Sequence, residues 1–217
     1  MLSRAGYDVW LGNNRGNHDS KKHVSLDPKG PDFWEFDFEE MGLYDVPAFT
    51  DFILKTTEGK NKIGKLAAYI GHSEGTTQFF IGASLKPDYY KEKVNLFVAL
   101  APVARLEHSP NKLMVHASVI YKLIEPLAKT TGFYSLIEFN RVEEFVHSKF
   151  CRMVPHFCQY LAEGFIDYNK DIDNVERFAD KAGHVPAGAG WRCLAHYAQN
   201  IVKKRFMRWD FGAEKNL

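Results

Sequence analysis

The residues best placed to do chemistry are Gly71-His72-Ser73-Glu74-Gly75, a G-x-S-x-G motif. A serine hydroxyl becomes a nucleophile when a neighbouring base takes its proton, and acyl transfer is the reaction that this supports. The motif carries meaning through its surroundings. A nucleophile elbow needs a strand that runs into a sharp turn, with the serine at the tip in a strained backbone conformation. The flanking glycines then let two backbones approach where a side chain would clash. The helix that follows points its amino end at the serine, so the N–H of Glu74 stabilises an oxyanion. His72, next to the nucleophile, is expected to pack the elbow.

Three cysteines offer a second kind of chemistry. Cys151, Cys158 and Cys193 lack the C-x2-C pairing of structural zinc sites, so no metal framework is expected. On an unbroken helix, Cys151 and Cys158 would lie about 10.5 Å apart at about 1.5 Å per residue. A disulfide spans at most about 7 Å between Cα atoms. Pro155 falls between them and would break such a helix. A bridge at a turn and two buried thiols therefore both stand on the residues alone, and Cys193 stays free in either case.

The elements that must position Ser73 are legible on both sides of it. Leu66-Ala67-Ala68-Tyr69-Ile70 is a short apolar run between Gly64 and Gly71, as suits a fully buried strand. Thr76 to Leu85 continues as a helix, and Val94 to Leu100 is a second buried strand stopped by Ala101-Pro102. Upstream, Tyr7-Asp8-Val9-Trp10-Leu11 is rich in strand formers and ends in the turn-rich Gly12-Asn13-Asn14-Arg15-Gly16. Asp45 is placed to cap a helix with Pro47 in its first turn and Val46, Phe49, Phe52 and Ile53 on one face. Strand, helix, strand, helix, strand implies an α/β layer fold with a parallel sheet. After Pro102 the chain turns mostly helical to about 205, with Pro186-Ala187-Gly188-Ala189-Gly190 read as a loop and Trp191 to Lys203 as a helix. The expected division is a core over 1–104, a helical insertion or cap over 105–200, and a return toward the core over 201–217.

Composition narrows the class. Apolar residues make up 45% and aromatics 14% of the 217 residues, enough for a sizeable core. With 28 basic against 27 acidic side chains, the net charge of +1 gives no electrostatic footprint for nucleic acid. No run of 18 apolar residues is present, so no transmembrane segment is expected, and Met1 to Trp10 lacks the apolar stretch of a signal peptide. Gly12–Gly16 forms G-x-x-x-G, but no Lys-Ser/Thr follows, which sets a phosphate loop aside.

Over nearly its whole length the sequence resembles the acid lipases of the α/β-hydrolase fold, the gastric and lysosomal acid lipases among them. The resemblance is carried by Ala5 to Asn13, Arg15-Gly16, Phe33-Trp34, Phe36, Glu40-Met41 and Tyr44 to Ala48. It continues through Gly71 to Thr77, Ala99 to Ala104, His184, Pro186-Ala187-Gly188, His196, Gln199 and Trp209 to Gly212. It implies hydrolysis of acylglycerol or cholesteryl esters at a lipid–water interface, without cofactor, by a secreted or lysosomal protein. Ser73 would be the nucleophile and Glu74 would lend one oxyanion N–H. The region from about 105 to 200 would be the cap and lid, and Cys151–Cys158 is similar to a disulfide of the family there. Position 74 departs from the pattern, since the family usually has Gln after the nucleophile. A carboxylate near a developing oxyanion is unfavourable, so Glu74→Gln in a complete enzyme is expected to raise turnover at neutral pH.

The same resemblance puts the triad's remaining members outside this chain. Serine hydrolysis needs a histidine and a carboxylate to orient it, in the order Ser, Asp or Glu, His. In the family both follow the Trp-Asp-Phe-Gly region, here Trp209 to Gly212, and the second oxyanion donor precedes the position matched by Met1. The strands at 7–11 and 66–70 resemble neighbours of a third strand that has no match in the sequence. Such a chain is expected to be marginally stable and prone to aggregate. Internal substitutes would have to come from His184 or His196 with Asp167, Asp171, Asp173 or Asp210, but the resemblance places both histidines in the cap and its junction. Two functional classes follow: a lipase present as an incomplete piece, or a catalytically inactive remnant that binds lipid or a partner through its cap.

Overall fold

In the computed structural model the chain is described over residues 1–109, 111–138, 141–162 and 187–212, with 169, 171, 174, 175, 177 and 181 between. Met1–Arg15, Phe36–Arg105 and Phe206–Leu217 cluster as one unit, and Gly16–Glu35 with Leu106–Arg205 as another.

The first unit is organised by a bent helical rod that begins earlier than Asp45. Asp37 caps it: its side chain accepts from the N–H of Glu39 at 2.7 Å, while Glu40 reaches back to the N–H of Asp37 at 2.7 Å. This is a capping box. The rod runs through α1 (Phe38–Glu40), a π-helical turn (Met41–Asp45) and α2 (Val46–Thr56). The π turn explains how Pro47 sits within it. Proline has no N–H to give and would clash in a regular helix. The carbonyls left over are those of Gly42 and Leu43, which accept instead from Tyr90 Oη at 2.6 Å and Lys86 Nζ at 2.8 Å. Asp45 is therefore no cap, since its backbone is helical. Its carboxylate takes the Arg15 guanidinium at 2.6 and 2.8 Å and the Arg15 N–H at 3.0 Å.

Strand β1 (Tyr69–His72) leads to α3 (Glu74–Leu85), then α4 (Pro87–Lys93) and strand β2 (Phe97–Leu100). The two strands are parallel, with Tyr69 opposite Phe97 and His72 opposite Leu100. A single parallel bridge between Leu66 and Val94 is all that the earlier part of each expected strand contributes. Both segments were expected to be fully buried, and neither is. Side chains alternate across β1, so Tyr69 and Gly71 turn inward while Ile70 and His72 are exposed. Inward lies an aromatic core: Phe79 stacks on Phe97 at 4.0 Å between centroids, with Tyr69 and Tyr90 at 5.0 and 4.9 Å from Phe79. Val46, Val94 and Leu66 close it.

Tyr7–Leu11 is a correction. The segment carries strand-forming side chains but makes no ladder among the described residues, and each of its five residues is exposed. Propensity describes how side chains fit a pleated surface; without a paired neighbour it does not make a strand. Trp10 rests edge-on against Phe52, which is exposed rather than on the buried face of α2.

The second unit is mainly helical: α5 (Lys112–Ser118), α6 (Tyr121–Thr131), α7 (Arg141–Met153), α8 (Pro155–Ala162) and a last helix, α9 (Trp191–Lys203). Helix α9 packs on α5 and α6 and is buried along much of its length, including Trp191, Cys193, His196 and Gln199. Arg192, nearly fully buried, pairs with Glu35 at 3.2 Å. Strand β3 (Ser135–Glu138) pairs antiparallel with β4 (Ala187–Gly190), so residues 187–190 form a strand rather than the expected loop. Gly188 at φ 90 lets a glycine-rich segment follow the ladder.

Candidate active site

Ser73 stands between the end of β1 and the start of α3, with φ 50 and ψ −116. A non-glycine residue in that region stores about 1–3 kcal/mol of strain, which persists only where the surroundings hold it. They do so from several sides. The Ser73 N–H donates to the Leu100 carbonyl at 3.0 Å, which carries the parallel ladder one residue past the strand. Its carbonyl accepts from the Thr76 N–H at 2.9 Å and from Thr76 Oγ1 at 2.6 Å. The same Thr76 oxygen accepts the Val103 N–H at 2.9 Å, and Thr77 Oγ1 donates to the Val103 carbonyl at 2.6 Å. Both threonines are fully buried.

This ties the elbow to the turn after β2, where Ala101 also has positive φ, 48°. His72 and Leu100 are register partners, so the two strained residues, Ser73 and Ala101, follow directly at the ends of paired strands. Thr76, Thr77 and Ala101 were visible in the sequence without any role attached. A small hydroxyl residue three or four positions past the serine, in the first turn of the helix that follows it, is the signal that would have found the clamp.

The glycines of the motif do different things. A Cβ on Gly71 would come within 2.7 Å of the Gly75 carbonyl group and 2.9 Å of the Thr76 nitrogen. Gly75 would meet nothing nearer than Tyr69 Oη at 3.8 Å. Tyr69 donates its hydroxyl to the Gly75 carbonyl at 3.1 Å, and burial pushes its phenol up to about 12, so it remains a neutral donor.

Glu74 opens α3, where a carboxylate is favoured by the helix dipole. Its Oε1 accepts from Gln78 Nε2 at 3.3 Å, and the Gln78 amide also reaches Met41 Sδ at 3.2 Å. The amino end of a helix is in general a favourable setting for an anion, although the Thr76 N–H of this first turn is taken by the Ser73 carbonyl.

The Ser73 side chain is exposed, and its hydroxyl makes no hydrogen bond among the described residues. His72 does not pack the elbow as expected: the strand's alternation puts it with Ile70 on the exposed face, away from Phe79. It is also the one histidine in the sequence of the first unit. His196 is buried on α9 in the second unit, Asp171 is exposed there, and Asp210 turns its carboxylate to the Gly212 N–H at 2.9 Å. His184, Asp167 and Asp173 lie outside the described residues. In the second unit Cys151 and Cys158 form a disulfide with Cα atoms 5.5 Å apart, made possible by the break between α7 and α8 at Val154 and Pro155. Cys193 is free and buried.

No family model matches the chain. Whole-sequence comparison is more informative. Gastric triacylglycerol lipase of Mus musculus is 38% identical over 217 residues, covering 98% of this chain and 52% of the relative. Lipase member K of Homo sapiens is 32% identical over 214 residues, 98% of this chain and 51% of the relative. A putative lysosomal acid lipase/cholesteryl ester hydrolase of Crotalus adamanteus is 32% identical over 219 residues, 99% and 52%. Along nearly its whole length the chain is similar to gastric and lysosomal acid lipases. It spans about half the length of the curated relatives it matches. These lipase relatives imply an α/β-hydrolase fold, and the parallel β1–β2 pair with α3 between is compatible with part of one. No helix among the described residues is long and apolar enough to cross a membrane.

Proposed function

We propose that this acid lipase chain carries the nucleophile of a serine carboxylic-ester hydrolase acting on lipid esters, acylglycerols or cholesteryl esters, at a lipid–water interface. The observation that carries the reading is Ser73 held at φ 50 between a parallel strand and a helix, with its side chain exposed. Ser73 attacks the ester carbonyl and the Glu74 N–H donates to the oxyanion that forms. Residues 1–104 supply the core with the elbow, 105–200 a cap over the acyl chain, and 201–217 the return to the core. No cofactor enters the chemistry.

A second reading has its own support. The hydroxyl of Ser73 bonds to no described residue, and His72, the histidine beside it, projects from the exposed strand face. Meanwhile the second unit exposes Leu123, Leu127, Phe133 and Phe145. A chain of that kind binds lipid or a partner through its cap without hydrolysing anything. Hydrolysis of a short-chain ester and labelling by a fluorophosphonate, both abolished by Ser73→Ala, support the enzyme. Binding to lipid vesicles that is indifferent to Ser73→Ala, with neither labelling nor hydrolysis, supports the second reading and overturns the first for this chain.

A further inference from the structure

Helices α7 and α8 gather a histidine beside the disulfide. His147 and Cys151 are four residues apart on α7 and share one face, and Cys158 returns to them on α8 after the chain bends at Val154. One ligand atom from each of the three residues lies within 4.8 Å of the other two. Cys151 and Cys158 are buried, and His147 is half-buried.

We propose that, once the Cys151–Cys158 disulfide is reduced, His147, Cys151 and Cys158 bind a thiophilic divalent ion of the zinc class. Reduction by a dithiol supplies two electrons and two protons: the S–S bond breaks, two thiols form, and the dithiol becomes its own disulfide. The ion then displaces one proton from each thiol, leaving two thiolates and a neutral imidazole as ligands.

The geometry is close to what such an ion needs. A tetrahedral site with M–S of about 2.3 Å and M–N of about 2.0–2.1 Å separates its ligand atoms by about 3.6–3.8 Å. The sulfurs must therefore part from bonding distance, and the imidazole must close by about 1 Å at most. Side-chain rotation on a short turn accomplishes both. Two soft thiolates with one imidazole favour zinc-like ions over magnesium or calcium, and three protein ligands leave a fourth position for water. Cys193 takes no part in the cluster.

Cobalt(II) is the probe. The chain is reduced with a dithiol, freed of it without air, and titrated with Co2+. Thiolate charge-transfer and tetrahedral d–d bands are expected to saturate at one equivalent in the reduced chain and to be missing from the oxidised one. Cys158→Ser is expected to abolish them and Cys193→Ser to leave them intact. His147→Ala is expected to weaken binding on the order of 100-fold, at least the upper end of what a lost supporting residue costs. Bands missing from the reduced chain overturn the proposal. So do bands unchanged in His147→Ala, which would mean two thiols alone, in a folded or an unfolded cap, hold the ion.

Discussion

The motif Gly71-x-Ser73-x-Gly75 contains two glycines, and replacing each by alanine should shift stability in opposite directions. At Gly71 the new Cβ would meet backbone: the Gly75 carbonyl carbon and oxygen at 2.7 Å and the Thr76 nitrogen at 2.9 Å. Ordinary contact begins at 3.4 Å, and a helix backbone cannot rotate aside as a side chain can. Strand β1 or the first turn of α3 has to move, and both are tied to the clamp around Ser73 through Leu100, Thr76 and Val103. Overpacking of this kind costs about 1–3 kcal/mol. At Gly75 a Cβ meets only Tyr69 Oη at 3.8 Å, and the residue lies in the first turn of a helix without positive φ. There the gain in helix propensity, up to about 1 kcal/mol, is free to appear. Urea denaturation of the two variants beside the parent chain is the assay, with midpoints read at equal m-value. Gly71→Ala should move the midpoint down and Gly75→Ala should hold it or move it up. Equal losses in the two variants would refute the reasoning, because space would then not be what distinguishes the glycines.

Other expectations follow from the same contacts. Tyr90→Phe removes the hydroxyl that satisfies the Gly42 carbonyl at 2.6 Å and should cost about 1–3 kcal/mol by leaving a buried acceptor without its donor, again read by denaturation. Cys158→Ser opens a closed loop with a sequence separation of seven, and the chain-entropy relation puts the loss at about 2.5 kcal/mol, visible as a lowered midpoint for the second unit. Burial raises the phenol of Tyr69 to about 12, and those of Tyr89 and Tyr90 are raised as well. The folded state holds these protons more tightly than the unfolded state, so their contribution is complete below about pH 10 and lost as pH rises toward 12. Stability measured across that window should fall, and Tyr69→Phe should fall less steeply. Ser73→Gly, which lets a glycine take φ 50, should stabilise the chain by about 1 kcal/mol while removing any esterase activity, and a lowered melting temperature would count against stored strain.

Much of the site was legible because its signals are local. The run before Gly71, the serine, and the helix after it could be read in order, and a strand, a turn at Ser73 with positive φ and a helix stand there. The break at Pro155 was equally local, but it left a bridge and two buried thiols both open; the resemblance favoured the bridge, which the structure contains. What escaped depended on partners distant in sequence. Asp45 looked like a cap because cap chemistry is short-range, yet the Arg15 guanidinium claims its carboxylate. The π turn before Pro47 is stabilised by Lys86 and Tyr90, some forty residues on, and no local pattern announces them. Tyr7–Leu11 failed as a strand for the matching reason: strand propensity is a statement about neighbours. The ladder of Ala187–Gly190 failed in the opposite sense, since its residue types say turn and only its pairing with Ser135–Glu138 makes it a strand.

The clamp on Ser73 separates two requirements that a serine hydrolase must meet together. The bonds and close contacts that fix the Ser73 backbone (Leu100 and Val103 from one strand end, Gly71, Gly75 and Thr76 from the other, with Tyr69 on Gly75) come from residues 69–103 of one unit. The strain at Ser73 is thus held locally, with Ala101 strained beside it for the same reason: two paired strands end together and both chains must turn at once. Proton transfer has no such local source, because His72 is forced outward by the alternation of the strand that delivers Ser73. On the proposed hydrolase reading, the base arrives from another segment. Esterase activity in this chain, if it is found, consequently tests for that second segment, whereas the position of Ser73 does not depend on it.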